Sequence, residues 1–194
     1  EEDYYYTDRI GTEAARQIGE FAKSDKPFFQ YVAFTAAHWP IHAPEKSIEK
    51  YLKTYEGGWE KLRKERYARM LEMGIIDKEH WPLPPSEDRV KPWDTIDHKP
   101  WRIRNMAIYA AMVDHMDQAV GKLLEALRKT KRMENTFIIY FHDNGACPEH
   151  LSGNGWNTAN NILAKADKAG KTIAVGDKYD IPMGGPMTYG SVGH

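Results

Sequence analysis

The spacing of hydrophobic and polar positions predicts a helix followed by a strand at the start of the chain. Apolar residues recur at helical spacing between Ile10 and Ala22, and Thr7 or Asp8 is placed to cap this helix. The next apolar run, Phe28–Phe34, is interrupted only by Gln30. A short run of this kind is typical of a strand that is buried on both faces.

Longer helical patterns follow. Residues 45–74 predict two helices divided at Gly57-Gly58, with Gly74 as the C-cap of the second. The clearest helix runs from Ile103 to Leu127, where apolar side chains alternate spacings of three and four. Asp117 falls within this predicted buried stripe, and we interpret it as a carboxylate satisfied by structural hydrogen bonds.

A second predicted strand, Thr136–Phe141, consists only of β-branched and aromatic residues and ends in Asp143-Asn144-Gly145. Two buried strands with helices before and between them are typical of a right-handed βαβ arrangement. The pattern therefore predicts an α/β fold with a mostly parallel sheet flanked by helices.

The stretch from His80 to Trp101 shows neither the helical nor the strand spacing of apolar residues. It holds five prolines and three tryptophans, and a loop of this length in a compact domain is usually functional. We expect this rim loop, residues 80–101, either to line a binding site or to pack its aromatic rings against the domain. The glycine-rich end, residues 176–194, predicts that the 194 residues are the central part of a larger domain.

Composition limits the kinds of partner and of metal site that the chain could have. Lysine and arginine total 27 against 28 aspartates and glutamates, and the net charge of -1 gives no reason to expect a nucleic acid. No stretch of the sequence approaches the roughly 20 apolar residues of a membrane span. The single cysteine, Cys147, excludes an internal disulfide and a cysteine-rich metal site.

Polar side chains follow both predicted strands. His38 ends the first, and Asp143 with Asn144 ends the second, so a parallel sheet would place all three at one edge. Carboxylate and amide oxygens are the donors that Ca²⁺ and Mg²⁺ prefer. The same tripeptide also favours a simple turn, and the local pattern leaves both interpretations open.

Three ordered motifs carry a family resemblance. The segments AAHWPIHAPEKSIEKY, YAAMVDHMDQAVGKLLEAL and HDNGA together resemble the type I sulfatases, in particular bacterial arylsulfatases of the alkaline-phosphatase superfamily. The opening YYTDRIGTEAARQI is similar to the helix that precedes the family's histidine strand. The resemblance runs along nearly the whole chain and favours the metal interpretation over the turn.

The resemblance implies an alkaline-phosphatase-like fold and a sulfuric ester hydrolase with a formylglycine nucleophile and Ca²⁺, with Mg²⁺ as the alternative ion. Asp143 and Asn144 match the family's late metal pair. His38 matches the histidine that contacts the sulfate and assists departure of the alcohol, whereas His42 matches no catalytic residue. The substrate is expected to be a small-molecule or sugar sulfate ester, and the compartment periplasmic or extracellular.

The chain also departs from the family pattern. Cys147 is followed by Pro148-Glu149-His150-Leu151. A Cys-x-Pro-x-Arg motif needs a proline two places after the cysteine and an arginine four places after it, and neither is present there. We therefore expect the formylglycine and the first metal aspartates upstream, and a sulfate-contacting lysine beyond His194. As a separate molecule the chain is predicted to be inactive, to bind calcium weakly if at all, and to have exposed sheet edges.

Two other interpretations compete. One is a phosphodiesterase or phosphonate monoester hydrolase of the same superfamily; Asn144, in place of a histidine, disfavours only the two-zinc phosphatases. The other is a non-catalytic binding module that has kept an enzyme's fold. The identity of the nucleophile would decide between them.

Overall fold

The computed structural model describes residues 4–38, 41–86, 90–96, 99–143 and 145. The regular elements in these ranges are four α-helices, α1 (Tyr6–Phe21), α2 (Glu45–Tyr55), α3 (Gly58–Glu72) and α4 (Lys99–Lys129), and short 3₁₀ turns at Trp93–Thr95 and Met133–Asn135. None of these helices combines the length and hydropathy needed to cross a lipid bilayer. The described residues divide into two compact units, one reaching to His38 and resuming at Ala110, the other formed by the residues between.

In the first unit, α1 confirms the predicted amphipathic helix. Its buried positions follow a four-three-four spacing and are Thr7, Gly11, Ala14 and Ile18. The predicted cap is wrong, because the helix already begins at Tyr6 and places Thr7 and Asp8 within its first turn. There the carboxylate of Asp8 faces the positive end of the helix dipole, which favours it.

The Ala110–Lys129 part of α4 packs against α1 in this unit. The helices approach closely at Gly11, where an added Cβ would lie 2.5 Å from the Cβ of Ala119. Nearby, the Nζ of Lys122 donates to the hydroxyl of Thr12 over 3.2 Å. Beyond the helix, Arg132 donates to the carbonyl of Ser24 over 2.7 Å and so ties the end of α1 to the segment after α4.

The burial predicted for Asp117 is wrong. Asp117 is exposed and Val113 is 37 % exposed, whereas the buried side of α4 in this unit holds Ala111, Met112, His115, Met116, Ala119 and Leu127. Small and apolar residues occur nearly all round this helix, so the sequence is compatible with more than one buried face. The structure selects a face on which His115, not Asp117, is the buried polar residue.

In the second unit the predicted division between α2 and α3 is confirmed. Gly58, the first residue of α3, has a φ of 77°, and Gly74, just beyond α3, has a φ of 68°, as a C-cap glycine requires. Trp59 meets Trp93 edge to face with ring centroids 4.9 Å apart, and Ile96 and Met106 complete this cluster. The guanidinium of Arg104 donates hydrogen bonds to both carboxylate oxygens of Glu45, over 2.9 and 2.6 Å.

The two predicted strands are not strands within the described part of the chain. Neither Phe28–Phe34 nor Thr136–Phe141 is assigned regular secondary structure there. Within the described residues neither segment is buried on both faces, since Phe29 is 90 % exposed and Phe137 is 89 % exposed. Burying such segments requires neighbouring strands and a second layer. The described residues cover one side of Phe28–Phe34 and leave residues 137–141 exposed.

Candidate functional site

Helix α1 covers one face of the segment that leads to His38. The side-chain amide of Gln30 donates to the carbonyl of Ala14 and to the side chain of Gln17, both over 3.2 Å. Phe28 stacks on Phe21 with ring centroids 5.3 Å apart. Alternate residues of the segment are half-buried and exposed in turn, which is the period of an extended chain lying on a surface.

His38 lies at the end of this segment with its side chain exposed. Its backbone N–H donates to the carbonyl of Thr35 over 2.9 Å and closes a turn, within which the Ala36–Ala37 peptide bond is cis. The imidazole of His38 is accessible to a solute. His42 is likewise exposed, in the second unit.

Asp143 lies at the end of the other apolar segment and is also exposed. Just before it, the rings of Tyr140 and His142 meet edge to face with centroids 5.2 Å apart. Contact between residues two apart fits an extended backbone, whose side chains alternate between faces. The predicted partner of Asp143, Asn144, lies outside the described residues.

His38 and Asp143 belong to the same compact unit. A complete metal site is not assembled around them, because no three histidine, cysteine, aspartate or glutamate side chains in the described ranges are placed to hold an ion together. The oxygen of Asp143 suits Ca²⁺ or Mg²⁺, but Ca²⁺ takes six to eight such ligands. The described residues therefore fit the chemistry of part of a site.

Trp81 and Trp93 of the rim loop differ in burial, while the side chain of Trp101 lies outside the described residues. Trp81 is 63 % exposed, while its carbonyl accepts from the hydroxyl of Tyr67 over 2.8 Å. Trp93 is only 8 % exposed, and its backbone N–H donates to the carboxylate of Glu60 over 2.9 Å. The structure thus gives Trp93 a packing role and leaves Trp81 available to a ligand.

An open cavity of about 510 Å³ lies beside Trp93. Its charged lining residues are two lysines, Lys61 and Lys64, and three acids, Glu60, Glu65 and Asp94. An excess of carboxylates disfavours an anionic ester, so this cavity gives no support to sulfate binding.

One polar pair, formed by the buried His115 and the half-buried Asp8, was not predicted from the sequence pattern. The Nδ1 of His115 lies 2.8 Å from the Oδ1 of Asp8, and the ring of Tyr5 meets that imidazole edge to face at 4.8 Å. Burial raises the pKa of the Tyr5 hydroxyl. His115 and Asp8 are 107 positions apart, so no local spacing could reveal the pair. It joins α4 to the first turn of α1.

Comparison with known proteins points to one family. The Sulfatase family profile matches residues 1–183. The chain is 34 % identical over 146 residues to an uncharacterized sulfatase of Schizosaccharomyces pombe, covering 74 % of this chain and 26 % of that protein. It is 34 % identical over 152 residues to an arylsulfatase of Klebsiella aerogenes, covering 76 % and 32 % respectively. A mouse protein, arylsulfatase J, is 25 % identical over 151 residues, covering 78 % of this chain and 17 % of its own length. The chain thus spans a third or less of the length of these relatives.

Proposed function

Because the chain belongs to the sulfatase family, we propose that it forms part of the catalytic domain of an arylsulfatase-type sulfuric ester hydrolase. The observation that carries the proposal is the match over residues 1–183, which includes His38 and the Asp143-Asn144 pair. The relatives' greater length supports a nucleophile contributed by polypeptide outside these 194 residues.

The proposed fold is alkaline-phosphatase-like, with Phe28–Phe34 and Thr136–Phe141 as parallel strands. Their apolar composition supports this assignment, as does the extended conformation of Thr136, with φ -129° and ψ 122°. Parallel strands end at one edge of a sheet, which would bring His38 and Asp143 to the same side. The strands would then be covered by parts of the domain beyond the described residues.

Asp143 and Asn144 are proposed to contribute two oxygen ligands to a Ca²⁺ ion, with Mg²⁺ as the alternative. When bound, the ion supplies positive charge that offsets the charge of the sulfate group. Two oxygen donors fit that chemistry, but they are too few to hold Ca²⁺ tightly. We therefore expect the isolated chain to bind Ca²⁺ weakly if at all, as measured by calorimetric titration.

His38 is proposed to contact the sulfate and to protonate the departing alcohol. Its exposed side chain at the end of an apolar segment supports access to a substrate. The nucleophile is proposed to be a formylglycine outside this chain, since Cys147 lacks the flanking residues of the modification motif. The substrate class is a small-molecule or sugar sulfate ester, in a periplasmic or extracellular setting.

A leaving-group series tests the role of His38 in the complete enzyme. A proton donor matters most when the alcohol is a poor leaving group, so His38→Ala should lower kcat about a hundredfold for alkyl sulfates. The loss should be much smaller for 4-nitrophenyl sulfate, whose phenolate leaves without a proton. His42→Ala removes a neighbouring exposed histidine and should leave both rates near wild type. Equal losses with both ester classes would rule out proton donation by His38.

The relative rates at which the same enzyme hydrolyses sulfate, phosphate and phosphonate esters distinguish a sulfatase from the phosphodiesterase or phosphonate hydrolase alternative. We expect sulfate monoesters to be hydrolysed faster than bis(4-nitrophenyl) phosphate or a phosphonate monoester. The opposite preference would assign the chain to a phosphodiesterase or phosphonate hydrolase. Absence of turnover on all of these esters would favour a non-catalytic binding module.

A further inference from the structure

In the first unit, the Ala110–Lys129 part of α4 runs parallel to α1. Contacts between the two helices, and between the turns that follow them, join residues separated by nearly the same number of positions. The pairs are Asp8 with His115, Thr12 with Lys122 and Ser24 with Arg132, at sequence separations of 107, 110 and 108. Because residues further along α1 meet residues further along α4, the two helices point the same way and end level with each other.

The two apolar segments, Phe28–Phe34 and Thr136–Phe141, begin at equivalent positions after these helices. The connections Ala22–Pro27 and Thr130–Asn135 are equally long. Phe28 therefore precedes Thr136 by the same 108 positions that separate Ser24 from Arg132. The chain thus repeats a helix, a connection and an apolar segment in matching register.

Arg132 contacts the start of both segments. Its Nη2 donates to the carbonyl of Ser24 over 2.7 Å and lies 3.5 Å from the carboxylate of Asp25. Its own carbonyl accepts from the hydroxyl of Thr136 over 2.7 Å. The side chain of Arg132 therefore holds the connection to the first segment, while its backbone holds the first residue of the second.

The turn that Arg132 contacts is itself ordered by hydrogen bonds. The N–H of Ser24 donates to the carbonyl of Phe21 over 3.2 Å, and the hydroxyl of Ser24 accepts from the N–H of Lys26 over 3.2 Å. The carboxylate of Asp25 is fully exposed, so the ion pair with Arg132 contributes little. The charge-assisted hydrogen bond to the Ser24 carbonyl is the stronger contact.

Register at the start of the segments also determines which residues are level at their ends. Because extended chains rise equally per residue, Thr35 comes level with Asp143, again 108 positions further along. The turn closed by the His38 N–H and the Thr35 carbonyl places His38 just beyond that level. We propose that Arg132 is a positioning residue, which sets His38 relative to Asp143 by locking the register of the two segments. This inference rests on the proposed function of His38 and Asp143.

The leaving-group dependence of kcat in the complete enzyme tests this role. Arg132→Met keeps an unbranched side chain but removes the donor. It should lower kcat about tenfold for alkyl sulfates and less than about twofold for 4-nitrophenyl sulfate, because a displaced proton donor matters most where the alcohol needs a proton. Arg128→Met makes the same change at a side chain that pairs with Glu125 of its own helix at 3.9 Å, and should leave both rates near wild type.

A double-mutant cycle distinguishes positioning of His38 from a general effect on stability. In the His38→Ala enzyme the group to be positioned is gone, so adding Arg132→Met should lower kcat for alkyl sulfates by less than about twofold further. A further tenfold loss in the double variant would overturn the inference, since it would show that Arg132 acts independently of His38. Equal losses by Arg132→Met with both ester classes would overturn it as well.

Crystal structures of the complete wild-type enzyme and of Arg132→Met give a test that does not depend on turnover. We expect the Arg132–Ser24 hydrogen bond in the wild type, and a change of about 0.5 Å or more in the separation of His38 and Asp143 in the variant. Absence of that bond in the wild type, or an unchanged separation in the variant, would overturn the inference.

Failure of the proposed function would be seen separately, in His38→Ala. Equal losses with both ester classes for that variant would overturn the role of His38 and any effect of Arg132 on proton donation. The two crystal structures would then still show whether Arg132 locks the register. A selective loss in His38→Ala without one in Arg132→Met would leave the proposed function in place and overturn the positioning role alone.

Discussion

Gly58 shows how strongly a single position is constrained. Its φ of 77° lies in the left-handed region, and an added Cβ would lie 2.2 Å from the Cγ of Trp93. The backbone and the neighbouring ring therefore both require glycine. Close approach at this residue is what lets Trp93 reach Trp59 in the core of the second unit.

Substitution of Gly58 separates the two constraints. Gly58→Ala should lower the free energy of unfolding by about 3 kcal/mol, from strain at positive φ and from overlap with Trp93. Gly74 has a similar φ of 68° with open space around it, so Gly74→Ala should cost only about 1 kcal/mol. Urea denaturation followed by tryptophan fluorescence measures both changes. Equal losses of stability for Gly58→Ala and Gly74→Ala would mean that the Trp93 ring moves aside and that only the strain at positive φ is destabilising.

At the same scale, sequence reasoning selected site residues through their chemistry and buried residues through their spacing. It selected His38 and Asp143 because both follow predicted strands whose carboxyl ends would share one edge of a sheet. Both side chains are exposed, and their role in a site stays a prediction. Sequence reasoning missed His115 and misplaced Asp117, because burial on α4 depends on where α1 lies. That information is spread over more than a hundred positions and has no local signature.

Between elements, the contact of α1 with α4 depends on small residues. Gly11→Ala places a Cβ 2.5 Å from the Cβ of Ala119 and should lower the free energy of unfolding by about 1–2 kcal/mol, despite the better helix propensity of alanine. Gly19 lies on the same helix with nothing within 4 Å of an added Cβ. Gly19→Ala should therefore stabilise by about 0.5–1 kcal/mol. Stabilisation by Gly11→Ala would show that the helices are not in close contact.

The pair between Glu45 of α2 and Arg104 of α4 predicts a pH effect. Hydrogen bonding to Arg104 holds the pKa of the Glu45 carboxyl below its ordinary value. A depressed folded-state pKa contributes stability above the unfolded pKa of about 4.3, and this stability is lost as the pH falls through the folded value. The contribution should be about 1 kcal/mol, because the side chains are 30 % and 42 % exposed.

Denaturation between about pH 6 and pH 3 measures this effect as a difference between proteins. Wild type should lose about 1 kcal/mol more than Glu45→Gln over this interval. Glu49 is an exposed carboxylate on the same helix, and Glu49→Gln should follow the wild-type pH profile. Parallel profiles for wild type and Glu45→Gln would mean that the pair contributes no stability.

Helices and strands differed in how far the sequence could define them. The division of α2 from α3 and the C-cap at Gly74 were predictable, because spacing and glycine positions are local information. The segments Phe28–Phe34 and Thr136–Phe141 are extended in pattern, but their burial needs partners elsewhere in the chain. The described residues cover only one face of the first segment, through Phe21 and Gln17 of α1.

At the scale of the whole molecule, the proposal is that this chain forms the part of a sulfatase domain that carries His38 and the Asp143-Asn144 pair. Two findings support this proposal. The family match covers residues 1–183, and the chain spans a third or less of the length of each relative. In this proposal, a sheet that involves the rest of the domain would bring these residues into one site. The sequence pattern predicts their place at one sheet edge but not the remaining ligands, which lie outside the described residues.

The most direct test is kcat/KM for 4-nitrophenyl sulfate, measured with the complete enzyme and two aspartate variants. Asp143→Asn removes the negative charge of a proposed metal ligand and should lower kcat/KM about a hundredfold or more, since a bound cation supplies several kcal/mol of charge stabilisation. Asp117→Asn makes the same chemical change at an exposed position on α4 and should leave kcat/KM unchanged. Activity of Asp143→Asn equal to that of Asp117→Asn would contradict the account.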